Sequence, residues 1–184
     1  MTARLATADA AELFARRDAP IAGLAEDAGA LAEACWAMAR RFHQGGRLLA
    51  FGTGCSAADA AHVVVEFVHP VIIGKRALPA LGLSGRPDFR TELELFGEHE
   101  DIALGIASDP DDRVSDGLAT ARDRGMLTLA LVGGADGVAL PPGLDHVIAL
   151  RSGDPRVVRE GHVTAYHVLW ELVHVFLDAP EVLA

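Results

Sequence analysis

The amino-acid sequence predicts an α/β fold in which a parallel sheet is covered by helices on both faces. Short apolar runs alternate with segments of helical periodicity along most of the chain. The apolar runs contain few polar residues, which is typical of strands buried on both faces of a sheet. In such sheets ligands bind beyond the carboxyl ends of the strands, so the turns at 52–56, 107–112 and 133–137 are candidate sites.

Two helices are predicted ahead of the sheet. Residues 8–44 alternate Ala and Leu with charged residues at helical spacing, and the pattern stops at the glycine pair 45–46. A break between the two helices is expected near residues 18–20, because proline ends or kinks a helix.

The strands and their helices follow from residue 45 onward. Strands are predicted at 47–51, 77–83, 101–107, 126–132 and 145–150, and helices at 56–68, 111–125 and 156–177. No internal repeat, low-complexity segment or linker interrupts this order. Residues 1–184 are therefore predicted to form one domain, with 8–44 as N-terminal helices and 45–184 as the α/β core.

The amino-acid composition indicates which kinds of partner the chain can bind. The chain has 26 acidic against 16 basic residues and a net charge of -10, which disfavours binding to nucleic acid. Hydrophobic residues make up 51% of the sequence, yet no run reaches the length of a membrane span. The start of the chain lacks the apolar segment of a signal peptide, and two cysteines are too few for a disulfide framework. We therefore expect a cytoplasmic homo-oligomer that does not bind a membrane.

The stretch GTGCSAADAAHVVVE, residues 52–66, combines a glycine turn with a helix. Ser56 would lie at the helix start, where backbone N–H groups favour an anion or a sugar hydroxyl, although such turns commonly serve only as caps. Asp59, His62 and Glu66 are spaced i, i+3 and i+7, so they share one face of this helix.

The stretch EGHVTAYHVLWELVH, residues 160–174, shows a similar pattern near the end of the chain. Glu160, His167, Glu171 and His174 fall on one helical face, and His162 points elsewhere. An exposed helix face near an interface would give the same pattern.

On these two motifs the chain resembles the SIS (sugar isomerase) domain family and, within it, the phosphoheptose isomerases. The first family motif reads GNGGSAADAxHxxxEL. Its second motif has two histidines five residues apart, which His162 and His167 match. The residues shared with the first motif are Gly52, Gly54, Ser56, Ala57, Ala58, Asp59, His62 and Glu66.

The resemblance implies a three-layer αβα, flavodoxin-like fold with five parallel strands, and a homotetramer with N-terminal helices between subunits and active sites at the interfaces. It implies aldose–ketose isomerisation of a sugar phosphate, with Glu66 as the general base and His167 as its acid/base partner. In some members a histidine–glutamate cluster holds zinc, for which His62, Glu66 and His167 would be three ligands. The substrate-binding residues expected on this basis are Gly54, Ser56, Asp59, Ser108 and Arg159.

The chain departs from the family at the second turn. The family has a Ser/Thr-rich phosphate loop, STSGNS, where residues 107–112 read ASDPDD. Asp109 followed by Pro110 predicts an N-cap and a first helical residue, with Asp111 and Asp112 in the first turn. These carboxylates would occupy the backbone N–H groups that a phosphate would use, and their negative charge would repel the phosphate itself. Arg159 stands in place of a family glutamine. A guanidinium cannot ligate zinc and would repel it, whereas it could bind an anion.

Three functions remain open on the sequence. The first is an isomerase of the phosphoheptose type or with an altered substrate. The second is a non-catalytic SIS module that binds a ligand or serves as an oligomeric protein scaffold. The third is a metal-binding protein that uses His62, Glu66 and His167.

Overall fold

The protein forms a five-stranded parallel sheet, which confirms the predicted α/β fold. A computed structural model describes the backbone of residues 2–134 and 139–183, and the side chains of these ranges from residue 9 onward. The spatial strand order is β2-β1-β3-β4-β5, which is the flavodoxin-like order. The strands are β1 (Leu48–Gly52), β2 (Ala80–Gly82), β3 (Ile102–Ala107), β4 (Leu127–Gly133) and β5 (His146–Leu150).

Each predicted strand corresponds to an observed one. The three central strands are buried along their whole length, because helices cover both faces of the sheet. The main difference is β2, which spans only three residues where 77–83 was predicted, and lies at one edge with its residues partly or fully exposed.

Six α-helices surround the sheet within the described ranges. One face packs against α1, α2, α3 and α6, and the other against α4 and α5, so the molecule has three layers. No helix among the described residues is long and apolar enough to cross a membrane. The helices are α1 (Thr2–Glu26), α2 (Ala28–His43), α3 (Cys55–Val68), α4 (Phe89–Phe96), α5 (Asp112–Asp123) and α6 (Pro155–Leu177), and a 3₁₀ turn follows at Pro180–Val182.

The break between the two N-terminal helices was predicted in the wrong place. Helix α1 continues through Pro20 and ends at Glu26, and α2 begins after Asp27. Because α1 packs along α6 and β5, tertiary contacts outweigh the local preference of proline.

Helix α4 was not predicted from the sequence. Asp88 caps it by accepting a hydrogen bond from the backbone N–H of Thr91 at 2.7 Å. Phe89 and Leu93, one helical turn apart, bury its apolar face against β1 and α5. The cap and the i, i+4 spacing are the signal that identifies this helix in the sequence.

Candidate functional site

The backbone conformation of the turn between β1 and α3 requires two glycines. A Cβ at Gly52 would lie 2.8 Å from the carbonyl oxygens of Ile106 and Ser56, so a side chain does not fit. Gly54 has a φ of 54°, a conformation that favours glycine, and it precedes the first residue of α3. The predicted glycine turn and the helix after it are therefore both present.

The first and second turns meet at the carboxyl edge of the sheet. Ser56 is buried, and its hydroxyl oxygen lies 3.4 Å from that of Ser108, at the end of β3. The two turns line a cavity of about 270 Å³ together with Pro155 and Arg159 from the start of α6. The cavity thus brings three predicted substrate-binding side chains together, those of Ser56, Ser108 and Arg159.

Arg159, which lines this cavity, forms an ion pair with Asp59 of α3. Asp59 is 4% exposed, and its carboxylate accepts hydrogen bonds from Nη2 and Nε of Arg159, at 3.3 and 3.4 Å. These hydrogen bonds and the charge of Asp59 raise the pKa of Arg159 above its ordinary value. Arg159 keeps 42% of its side chain exposed, so the guanidinium retains room for a second anion.

The residue that caps the start of α5 differs from the predicted one. The N-cap is Asp111, not Asp109: its carboxylate accepts hydrogen bonds from the backbone N–H groups of Arg113 at 2.9 Å and Val114 at 3.3 Å. The same carboxylate accepts a hydrogen bond from the hydroxyl of Thr53 in the first turn. Asp109 lies two positions before this cap, and its carboxylate makes no hydrogen bond to the helix amides among the described residues. The conclusion that a carboxylate of the chain occupies these donors still holds, with a different residue in the role.

A second group of polar side chains lies farther along α3 and α6. His62 Nε2 is 3.1 Å from Glu66 Oε1, and His167 Nε2 is 3.8 Å from the same oxygen. Glu66 is the most enclosed of the three, with 13% of its side chain exposed, against 43% for His62 and 41% for His167. The structure therefore brings together the predicted acid/base pair and the predicted metal ligands in one partly open cluster.

The chemistry of this cluster fits a zinc ion. One ligand atom from each of His62, Glu66 and His167 lies within 4.8 Å of the other two. Imidazole nitrogen and carboxylate oxygen are zinc ligands, and three protein ligands are typical of catalytic zinc.

The other predicted members of the α6 face do not join the cluster. Glu160 pairs with Arg17 of α1, with Oε1 and Nη2 2.8 Å apart, and Glu171 is exposed. His174 is buried, with Nδ1 2.9 Å from the carbonyl oxygen of Trp170. Residues on one face of a long helix have different environments, because different elements cover its two ends.

His162 is fully buried in the interior between α6 and β4. Neither ring nitrogen has a hydrogen-bond partner among the described residues, although the backbone of Val132 lies nearby. Burial lowers the pKa of His162, and the nearby charge of Asp59 partly opposes this shift while that of Arg159 adds to it. His162 thus packs in the interior as a neutral side chain and does not line the cavity.

Two residues at the site were missed from the sequence. Tyr166 reaches His62 from α6, with its hydroxyl oxygen 2.7 Å from Nδ1. Thr53, in the first turn, binds Asp111. No sequence spacing signals either contact, because each one joins segments that are far apart in the chain. The candidate turn at 133–137 lies mostly outside the described residues, which stop at residue 134 and resume at 139.

The chain is similar to phosphoheptose isomerases both in sequence and in fold. No family model matches the chain. It is 33% identical over 183 residues to the phosphoheptose isomerase of Pelobacter propionicus, covering 91% of this chain and 92% of that protein. Among solved structures it is similar to a phosphoheptose isomerase from Francisella tularensis, with a TM-score of 0.82, 22% identity and coverage of 92% and 98%. It is also similar to the sugar isomerase domain of the RpiR transcription factor from Sphaerobacter thermophilus, with a TM-score of 0.67, 18% identity and coverage of 94% and 92%.

Proposed function

The chain belongs to the phosphoheptose isomerase family of SIS-domain proteins, and we propose that it catalyses aldose–ketose isomerisation of a sugar phosphate. The observation that carries this proposal is the Glu66–His167 pair, a carboxylate and an imidazole 3.8 Å apart in a partly open cluster. A carboxylate and an imidazole together supply the base and the acid that this reaction requires.

The reaction moves one proton between adjacent carbons. The Glu66 carboxylate takes the proton from the carbon beside the carbonyl group, while His167 donates a proton to the carbonyl oxygen, and an enediol results. Glu66 then returns its proton to the former carbonyl carbon, and His167 takes the proton of the neighbouring hydroxyl, which becomes the new carbonyl. Both side chains end in their starting protonation states, so the cycle is balanced.

We assign the anionic group of the substrate to Arg159. The amide donors at the start of α5 are occupied by Asp111, whereas Arg159 lines the cavity and, in the part of the chain that the structure describes, forms an ion pair with Asp59 alone. Ser56 and Ser108 would bind sugar hydroxyls beside it, and Gly54 lets the backbone approach the ligand. The cavity and the Glu66 cluster are built on the same two helices, with His62 six residues after Ser56 on α3 and His167 eight residues after Arg159 on α6. This separation is about 9 to 12 Å along the helices, which one extended sugar phosphate would span.

We propose zinc at His62, Glu66 and His167 as an alternative state of this cluster, because a carboxylate and an imidazole that bind the ion are not free to act as the base and the acid. When bound, the ion would polarise the carbonyl and hydroxyl oxygens of the sugar. Elemental analysis of protein purified without a metal-affinity tag should find close to one zinc per chain, and the His62→Ala variant should lose it. Zinc far below that ratio in the wild-type protein would contradict this part of the proposal and leave the isomerase assignment intact.

We further propose a cytoplasmic homotetramer in which α1 and α2 contribute to subunit contacts. Helix α1 carries Leu13 and Phe14, which are 44% and 73% exposed and suit burial against another subunit. Sedimentation of the purified protein would test the assembly state.

A second candidate function is a non-catalytic SIS module that binds a sugar ligand or a protein partner. The occupied start of α5 favours it, since Asp111 takes the place that an anionic ligand would use. The similarity to a sugar isomerase domain within a transcription factor is compatible with it.

Turnover measurements separate the two candidates. Wild-type protein should interconvert a ketose phosphate and its aldose isomer, and Glu66→Gln should reduce kcat by about a hundredfold or more, as removal of a general base does. Glu171→Gln is the matched control, because Glu171 is exposed on α6 and contributes nothing to the cluster. Turnover of the wild type no greater than that of Glu66→Gln, across several sugar phosphates, would support the non-catalytic module.

A further inference from the structure

The ion pair between Asp59 and Arg159 connects α3 to α6 through one edge of the guanidinium. Nε of Arg159 lies 3.4 Å from Oδ2 of Asp59, and Nη2 lies 3.3 Å from Oδ1. Asp59 is 4% exposed, whereas 42% of the Arg159 side chain is exposed. Because a buried carboxylate without a paired cation is strongly unfavourable, Asp59 constrains where the guanidinium lies.

The donors of Arg159 show what this contact leaves for a ligand. A guanidinium has five N–H donors, and Asp59 accepts from two of them. The other three belong to Nη1 and to the outer hydrogen of Nη2, and two of these form a second fork at the end of the side chain. Arg159 lines the cavity between the first and second turns, where this end-on fork would bind two oxygens of one anionic group. The edge that Asp59 occupies thus decides which edge a ligand meets.

Two other carboxylates compete for the same guanidinium, because Asp109 and Asp111 line the same cavity. Both are more exposed than Asp59, and Asp111 already accepts hydrogen bonds from Thr53 and from backbone N–H groups of α5. Exposed ion pairs contribute little to stability, whereas leaving a buried charge unpaired is costly. Asp59 is therefore the preferred partner, and its hold on Arg159 prevents a pairing with Asp109 that would fill the cavity.

We propose that Asp59 is a positioning residue, which fixes Arg159 so that the end-on fork of the guanidinium binds the anionic group of the substrate. This role rests on the proposed isomerase function. It differs from the substrate-binding role that the family motif implies for Asp59. The carboxylate does not touch the substrate in this arrangement, because it is buried and occupied by the guanidinium.

The first test moves the carboxylate without removing its charge. Asp59→Glu adds one methylene, so the guanidinium is displaced while the ion pair keeps both charges. It should raise KM for the sugar phosphate about tenfold or more with little change in kcat, since a misplacement of about 1 Å can cost up to about a hundredfold. In an Arg159→Gln background the same substitution should leave KM unchanged, because the residue through which it acts is absent. A wild-type KM in Asp59→Glu, or a further increase in the double variant, would overturn the proposal.

The second test uses a lysine, which separates the ion pair from the fork. The ammonium of Arg159→Lys can pair with Asp59, but its three donors share one nitrogen and form no second fork. This variant should keep most of the melting temperature that Arg159→Gln loses. Its dissociation constant for inorganic phosphate, measured by calorimetry, should nevertheless rise as far as that of Arg159→Gln. Wild-type phosphate affinity in Arg159→Lys would show that charge alone suffices, which contradicts the proposal.

The matched control is Asp112→Glu, which adds the same methylene to an exposed carboxylate that does not line the cavity. It should leave both KM and the phosphate dissociation constant unchanged. Because phosphate binding needs no turnover, the two proposals fail separately. A protein that shows the predicted phosphate affinities but isomerises no sugar phosphate would refute the proposed function and leave the role of Asp59 intact. An active isomerase whose phosphate affinity is the same in Asp59→Glu as in the wild type would refute the role of Asp59 alone.

Discussion

The hydroxyl of Thr53 donates a hydrogen bond to the carboxylate of Asp111, which connects the turn after β1 directly to the N-terminus of α5. The same carboxylate caps α5 through the backbone N–H groups of Arg113 and Val114. One aspartate thus holds together the two turns that form the cavity and occupies the donors at the helix start.

Replacing Asp111 should therefore have two effects. Asp111→Ala should lower the free energy of unfolding by about 1 kcal/mol, the usual cost of losing an N-cap, as measured by urea denaturation. The exposed amides at the start of α5 should then bind anions, so added inorganic phosphate should raise the melting temperature of the variant more than that of the wild type. Asp112→Ala is the control, since Asp112 lies in the first turn without forming the cap. Equal phosphate effects on the two variants would count against Asp111 as the occupant of this position.

Arg159 should govern the affinity for phosphorylated sugars. Arg159→Gln should raise KM about tenfold to a hundredfold, because a charge-assisted hydrogen bond contributes about 1.5–3 kcal/mol. The variant also leaves the buried Asp59 carboxylate without its partner, so a lower melting temperature is expected as well. Arg156→Gln, one turn earlier, should leave KM unchanged, since Arg156 pairs with Asp154. A KM for Arg159→Gln equal to that of the wild type would place the anionic group elsewhere.

His162 should make stability depend on pH. Burial lowers the pKa of His162 in the folded state below the ordinary value of 6.5, so the unfolded chain binds this proton first as the pH falls. The free energy of unfolding should thus decrease as the pH falls through about 6.5, until the folded state also takes up the proton. His162→Met should lack this part of the decrease in denaturation curves from pH 7.5 to 5, whereas the exposed His99→Gln should retain it. Identical pH dependence in His162→Met and wild type would refute the assignment.

Gly161 should control how closely α6 approaches the sheet. A Cβ at this position would lie 2.2 Å from Cδ2 of Leu150 on β5, so alanine forces α6 or Leu150 to move. We expect Gly161→Ala to cost about 1–3 kcal/mol of stability and to lower kcat, because α6 carries both Arg159 and His167. Adding Leu150→Ala should restore part of both losses.

The control for this substitution is Gly23→Ala in α1, where a Cβ would meet nothing within 4 Å. It should leave stability unchanged or slightly increase it, since alanine favours a helix over glycine. A Gly161→Ala protein as stable as Gly23→Ala would show that the contact with Leu150 relaxes at no cost.

Features that depend on neighbouring residues were predictable from the sequence. The order of strands and helices, and the common helix face of His62 and Glu66, follow from local periodicity, which each segment keeps in the fold. Helix α4 was missed although its cap and spacing are present in the sequence, whereas two other errors arose where local signals competed with packing. Helix α1 passes through Pro20 because it rests on α6 and β5, and the cap of α5 moved from Asp109 to Asp111, which alone meets both Thr53 and the helix amides.

The sequence by itself determined the fold class, the family and the residue types available for proton transfer, because periodicity and motif spacing are properties of the chain. Only the tertiary structure decided which of these residues meet. The approach of His167 to Glu66, the hydrogen bond between Tyr166 and His62 and the pairing of Arg159 with Asp59 all join α3 to α6. These contacts depend on how two helices distant in the chain pack on one face of the sheet, and no local pattern encodes that geometry.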